Sequence, residues 1–274
     1  MTLVYNRCTN MKQHTESIWQ KVSLYIFLGL LAYMPLHILL STCLGTSFGV
    51  LELTRVAKEG VFLVGASMAL LVGIRRGILK PMIQDKLIWL VTAFVPLNIL
   101  LALVRSTDLD AEILGLVYNV RFLIYFVWAI VLAKLYAPKE LITVSVKIVL
   151  AAGLFVVLFG LFQYILLPDG ALRHLGYQRS NGVLPAFFID DKPDLERIMS
   201  TVRDPNSLGS YLLIILGFSG VKTMWADKDR DKLKWGLFVL TTLLAIFWTF
   251  SRGAWIGAFI VLGTTALLSA FRQR

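Results

Sequence analysis

The chain is a succession of apolar runs of roughly the length of membrane-spanning helices, divided by polar intervals that alternate in charge. The runs lie at 22–44, 53–74, 87–104, 116–136, 141–167, 207–224, 235–250 and 256–271. A helix needs about 20 apolar residues to span the hydrocarbon core, whereas a barrel strand needs only about 9–11. These lengths predict helices and exclude a barrel. Of all residues, 57% are hydrophobic and 16% charged, against about 45–50% and about 25% in soluble domains. The expected fold class is all-α: a polytopic membrane protein of about eight transmembrane helices.

The basic residues orient the chain. Arg75, Arg76, Lys80 and Lys86 follow the second run, Lys134, Lys139 and Lys147 flank the fourth and fifth, and Lys222, Lys228, Arg230, Lys232 and Lys234 follow the sixth. Each cluster falls on the same side, which the excess of Lys and Arg in cytoplasmic loops requires. Both termini are then cytoplasmic, and the net charge of +10 needs no nucleic-acid partner. The expected organisation is a cytoplasmic tail at 1–20, N-terminal helices at 21–140, and a membrane domain at 141–274 with an outer loop at 168–204. Pro35 predicts a kink in the first span. Cys8 and Cys43 fall on opposite sides, so no disulfide joins them. No metal-ligand cluster and no nucleotide-binding fingerprint is present, so neither metal nor cofactor is expected.

The interval 168–206 is the one long polar stretch, and the rest of the chain is arranged to hold it. It ends in Asp204-Pro205, a helix start in which Asp caps and Pro loses no needed N–H. The positive end of that helix dipole points back into the loop and favours an anion there.

This topology puts Arg55, Lys58, Arg121, Arg197, Arg203 and Arg252 on the outer side, against the general bias. A bound anion explains such a group, and the planar guanidinium fork suits phosphate. Plainer readings exist for most of them. Arg55 and Glu59 are one helical turn apart and are expected to pair. Arg203 has Asp204 beside it, with Asp190, Asp191 and Asp194 in the same loop, and reads as solvated. Arg121 has a neighbouring helix's carbonyl as its plain partner, and Arg252 can snorkel at the interface. His14 lies in the tail. His37 follows the Pro35 kink, where a bond to freed backbone explains it. His174 is the histidine placed where a general base is useful, with a solvated loop residue as the plain reading. The outer acids Asp108, Asp110 and Glu112 read as a solvated loop. Gly253 and Gly257 form a G-x-x-x-G that predicts close helix packing beside Arg252.

Two motifs carry a resemblance. Arg197-Ile198-Met199-Ser200-Thr201-Val202-Arg203-Asp204-Pro205-Asn206 resembles the R-x-x-G-T-x-x-x-P-N signature of the O-antigen ligase and O-antigen polymerase superfamily, with Ser200 in the glycine position. Further on, Ser251-Arg252-Gly253-Ala254-Trp255 is similar to that family's S-R-G-A-W. The likeness covers roughly 140–274. It implies a GT-C-like glycosyltransferase of the cytoplasmic (inner) membrane, acting in surface-polysaccharide biosynthesis. Its donor is a glycan linked to undecaprenyl diphosphate on the outer face, and its acceptor a lipid or another glycan. Neither metal nor nucleotide sugar is needed. Arg197 and Arg252 would hold the diphosphate, with Arg121, Arg203 and Asn206 as secondary contacts. The family continues past S-R-G-A-W to a second outer loop whose His acts as base. No residue here matches that His, so the chain is expected to be shortened at its C-terminus and the general base is unidentified. A different class stays open beside this one: a transporter of an anion or a lipid carrier, or a catalytically incomplete assembly subunit.

Overall fold

A computed structural model describes residues 2–105, 109–189 and 192–272, and is 81% helical. The helices are α1 (Thr2–Tyr33), α2 (His37–Ser47), α3 (Leu51–Arg75), α4 (Leu79–Ile83), α5 (Lys86–Thr92), α6 (Phe94–Arg105), α7 (Leu109–Leu135), α8 (Pro138–Leu166), α9 (Pro205–Met224), α10 (Asp229–Trp248) and α11 (Arg252–Arg272). The protein is an all-α membrane protein. Among the described residues five helical stretches are long and apolar enough to cross a bilayer: Ile18–Ser47, Leu51–Arg75, Pro138–Leu166, Pro205–Met224 and Arg252–Phe271.

The run expected as a third span is broken at Ala93, between α5 and α6. Pro96 gives the reason. It has no N–H for the carbonyl of Thr92, and its ring crowds that carbonyl, so α5 ends at Thr92. Pro35 acts likewise, and a 3-10 turn at Met34–Leu36 separates α1 from α2, as the kink reading requires.

The chain divides into two compact units. One comprises Met1–Leu28 and Glu59–Thr143. Its centre is a polar clasp: the Ser23 hydroxyl donates to the carbonyl of Gly65 at 2.8 Å and accepts from Trp128 Nε1 at 2.9 Å. Such bonds join helices where apolar burial alone cannot, because lipid is as apolar as leucine. A side chain at Gly65 would meet Trp128 at 2.6 Å, so only glycine admits the indole. Phe62 stacks on Tyr125 beside it, with centroids 3.9 Å apart.

The other unit comprises Gly29–Lys58 and Val144–Arg274. Its core joins α8, α9, α10 and α11 through Val156, Val157, Leu208, Leu212, Ile215, Ile246, Ala254 and Ala258, all buried. The α9–α11 seam differs from the expected G-x-x-x-G. Gly257 does pack, against Leu213, but a Cβ at Gly253 would meet nothing within 4 Å. Ala254 takes that place, and a side chain at Gly209 would come within 2.6 Å of its Cβ. The helix simply presents the neighbouring residue to the seam.

The interval between α8 and α9 is a folded cap. It holds 3-10 turns at Ala171–Leu175 and Arg179–Asn181 and an antiparallel hairpin of β1 (Phe188–Ile189) and β2 (Lys192–Glu196). Leu172, Tyr177, Val183 and Met199 are buried beneath it, against Ile38, Leu39 and Phe159 of α2 and α8. At Gly176 the backbone is left-handed, and a Cβ would strike the Thr42 carbonyl at 2.7 Å, so glycine lets the cap sit directly on α2.

Candidate functional site

The segment 197–206 is stitched to α8, to the end of α10 and to the turn at Pro35. The Ile198 N–H donates to the carbonyl of Trp248 at 3.1 Å. The amides of Met199 and Ser200 both donate to Gln163 Oε1, at 3.3 and 2.8 Å. The Ser200 hydroxyl donates to the Val156 carbonyl at 2.7 Å. Thr201 closes the break at Pro35. In an unbroken helix the Leu39 N–H would bond to the Pro35 carbonyl. Here Thr201 serves both: its hydroxyl donates to Pro35 O at 2.7 Å, and its own carbonyl accepts from Leu39 N at 3.2 Å. The proline that interrupts the first span is thus the docking point of the segment.

Ser200 has φ +51, in the left-handed region that few non-glycine residues occupy. The turn is held there by its fully buried position and by the bonds of the Ser200 amide to Gln163 and of its hydroxyl to Val156.

Arg197 lies at the end of β2. Its Nε donates to the carbonyl of Thr249 at 2.8 Å, and its Nη2 to Asn206 Oδ1 at 2.9 Å. Thr249 belongs to the turn between α10 and α11, in which Phe250 is also left-handed, at φ +48. Ser251 immediately precedes α11, its carbonyl accepting from Trp255 N at 3.0 Å and its hydroxyl facing the Ala254 amide. Arg252 is the first residue of α11 and is exposed. The structure therefore brings Arg197 and Asn206 into contact and ties Arg197 to the turn that leads into Arg252. Partial burial pushes the Arg197 pKa down and Asp204 offsets this in part, but a guanidinium keeps its charge.

Asp204 caps α9, accepting from the amides of Asn206 at 3.0 Å and Ser207 at 2.9 Å. Since α9 and α11 pack together at Gly209 and Ala254, their N-terminal ends lie side by side. Arg197, Arg252 and the start of α11 bring positive charge to this end of the unit, with the carboxylate of Asp204 beside Arg197.

The other expected residues divide. Arg203 is exposed beside the cap, and so is His174, in the turn Ala171–Leu175. Arg121 belongs to the other unit, where it pairs with the carboxylate of Glu59 at 2.6 Å. Arg55 does not take Glu59. It bonds Glu52 at 3.0 Å and donates to the carbonyl of Asn181, so it fastens the cap to α3. His37 meets two side chains: Lys58 Nζ lies 2.9 Å from Nε2 and the Tyr33 hydroxyl 3.0 Å from Nδ1. Lysine can only donate, so Nδ1 carries the ring proton. His14, Asp108, Asp110, Glu112, Asp190, Asp191 and Asp194 lie outside the described side chains.

Sequence reasoning missed two residues. Gln163 is a buried amide near the C-terminal end of α8 that orders the 199–200 turn, and its signal was one polar residue in an apolar run. Glu196 accepts from the Gly170 amide at 3.0 Å and Gln163 Nε2 at 3.4 Å. Burial pushes its pKa above the ordinary glutamate range, and Asp169 beside it adds to the rise. A raised carboxyl pKa means that the folded cap prefers the proton. The cap should be firmest below the ordinary glutamate pKa and loosen as pH rises through the folded value. Amide exchange at Gly170 should therefore quicken from acidic to neutral pH beyond its intrinsic base catalysis, and Glu196→Gln should abolish that excess. An unchanged profile in the variant would assign the effect elsewhere.

Among the described residues no group of His, Cys, Asp and Glu could hold a metal ion. No protein-family model, curated protein or solved structure matches the chain.

Proposed function

We propose that this protein transfers or polymerises glycan from an undecaprenyl-diphosphate-linked donor at the outer face of the cytoplasmic membrane, as a GT-C-like enzyme of about eight spans. The observation that carries this reading is the bond from Arg197, in the first motif, to Thr249, in the turn that leads into the second. A second supports it. Ser200, in the place where the family signature has glycine, adopts the left-handed backbone that favours glycine.

In this reading the acceptor hydroxyl attacks the anomeric carbon, the bond from that carbon to the phosphate oxygen breaks, and undecaprenyl diphosphate leaves with the electron pair. Charge grows on the leaving phosphate. Fixed cations in a site that excludes water stabilise such charge most strongly. Arg197, held by Thr249 and Asn206, supplies one guanidinium fork, and Arg252, exposed at the first residue of α11, supplies the second. The acceptor proton passes to a base that these residues do not supply; His174 is the weak candidate on the cap.

The test is an Arg197→Ala, Arg252→Ala double variant in membranes supplied with the lipid-linked donor. Transfer should fall to background. Retained transfer would overturn the proposal.

A further inference from the structure

The end of the second unit opposite the cap carries a feature that glycan transfer does not use. A groove of about 480 Å³ opens there between α8 and α10, near the end of α9. Lys147, Lys222 and Lys234 surround it, and its walls include Leu154, Leu158 and Leu237. Lys147 and the leucines at 154 and 158 share one face of α8 at helical spacing, so the charge sits at one end and the apolar track runs from it toward the cap. Lys234 and Leu237 repeat the pattern on α10.

Among the described residues no carboxylate pairs with any of the three lysines. Lys234 instead lies over the ring of Trp235, 5.2 Å from its centroid. Three cations on three helices at the mouth of an apolar track complement a molecule with an anionic head and a hydrocarbon tail. A soluble phosphate satisfies the lysines but leaves the apolar walls without a partner.

We propose that this groove binds one anionic phospholipid from the leaflet at the lysine-bearing end, with its phosphate among Lys147, Lys222 and Lys234 and an acyl chain along Leu154 and Leu158. Basic pockets between membrane helices hold such headgroups. The lipid joins α8, α9 and α10 at the end that the cap does not tie. This assignment rests on the chain crossing a bilayer and is independent of the transfer reaction.

The experiment is native mass spectrometry of the full-length protein released from nanodiscs, comparing phosphatidylglycerol with phosphatidylcholine of the same chains. Wild type should retain phosphatidylglycerol at least tenfold over phosphatidylcholine. A Lys147→Gln, Lys222→Gln, Lys234→Gln variant should lose that preference with unchanged melting temperature. Leu154→Trp, which fills the track and keeps every lysine, should lower retention as well. Equal retention by wild type and the lysine variant would overturn the site. Equal retention of glycerol phosphate, which has no tail, or preference for undecaprenyl phosphate in a competition, would overturn the occupant.

Discussion

Arg252→Ala is expected to lower glycan transfer by about 10²–10³-fold while leaving the melting temperature of the detergent-solubilised protein unchanged. The magnitude is that of removing one fixed charge or donor from a developing oxyanion. The unchanged stability follows from the position of the side chain: Arg252 is exposed at the first residue of α11, and the packing of that helix rests on Ala254, Gly257 and Ala258 instead. Arg197 is a poorer probe for the same question. It bonds both Thr249 and Asn206, so its removal loosens the site as well as discharging it. Arg252→Lys separates charge from shape. It keeps the cation and loses the planar fork, so activity should recover only in part. Transfer by Arg252→Ala near the wild-type rate, in a folded protein, would remove the residue from the mechanism.

The membrane character, the break at Pro35 and the position of the long polar interval were legible because each depends on local chemistry: run length, a missing N–H, and a polar stretch among apolar ones. What the sequence concealed depends on pairings between distant residues. Nothing near Thr201 shows that it will replace a helix bond at Pro35 and Leu39. Nor does a glutamate one turn from an arginine reveal that it will pair with Arg121 instead of Arg55. The glycine motif holds at Gly257 and fails at Gly253, where Ala254 takes the seam, because composition names the small residues but not which way the helix is turned. Gln163 escaped for another reason. A single amide in an apolar run is either a defect or a bonded partner, and only the amides of Met199 and Ser200 decide between them.

Ser200→Val should be the most damaging single change in the signature segment, costing about 3 kcal/mol or more. Three effects add. Valine has two branches on Cβ, which the left-handed backbone at φ +51 accommodates worst of all. The hydroxyl bond to Val156 is lost, a contribution of about 1 kcal/mol. The added methyls enter a fully buried position where the serine Cβ already faces Gly160, and overpacking there costs about 1–3 kcal/mol. For a chain of this size the melting temperature should fall by about 6–12 °C. Ser200→Gly sets the first two effects against each other. Glycine relieves the left-handed strain, about 1–2 kcal/mol, and forfeits the same hydrogen bond, so the net change should stay within about 1 kcal/mol. If Ser200→Gly destabilises as much as Ser200→Val, the hydroxyl holds the turn and the backbone conformation does not. If only valine fails, the turn itself is the requirement. Loss of the turn then releases the Gln163 bonds to Met199 and Ser200, and with them the fixed position of Arg197.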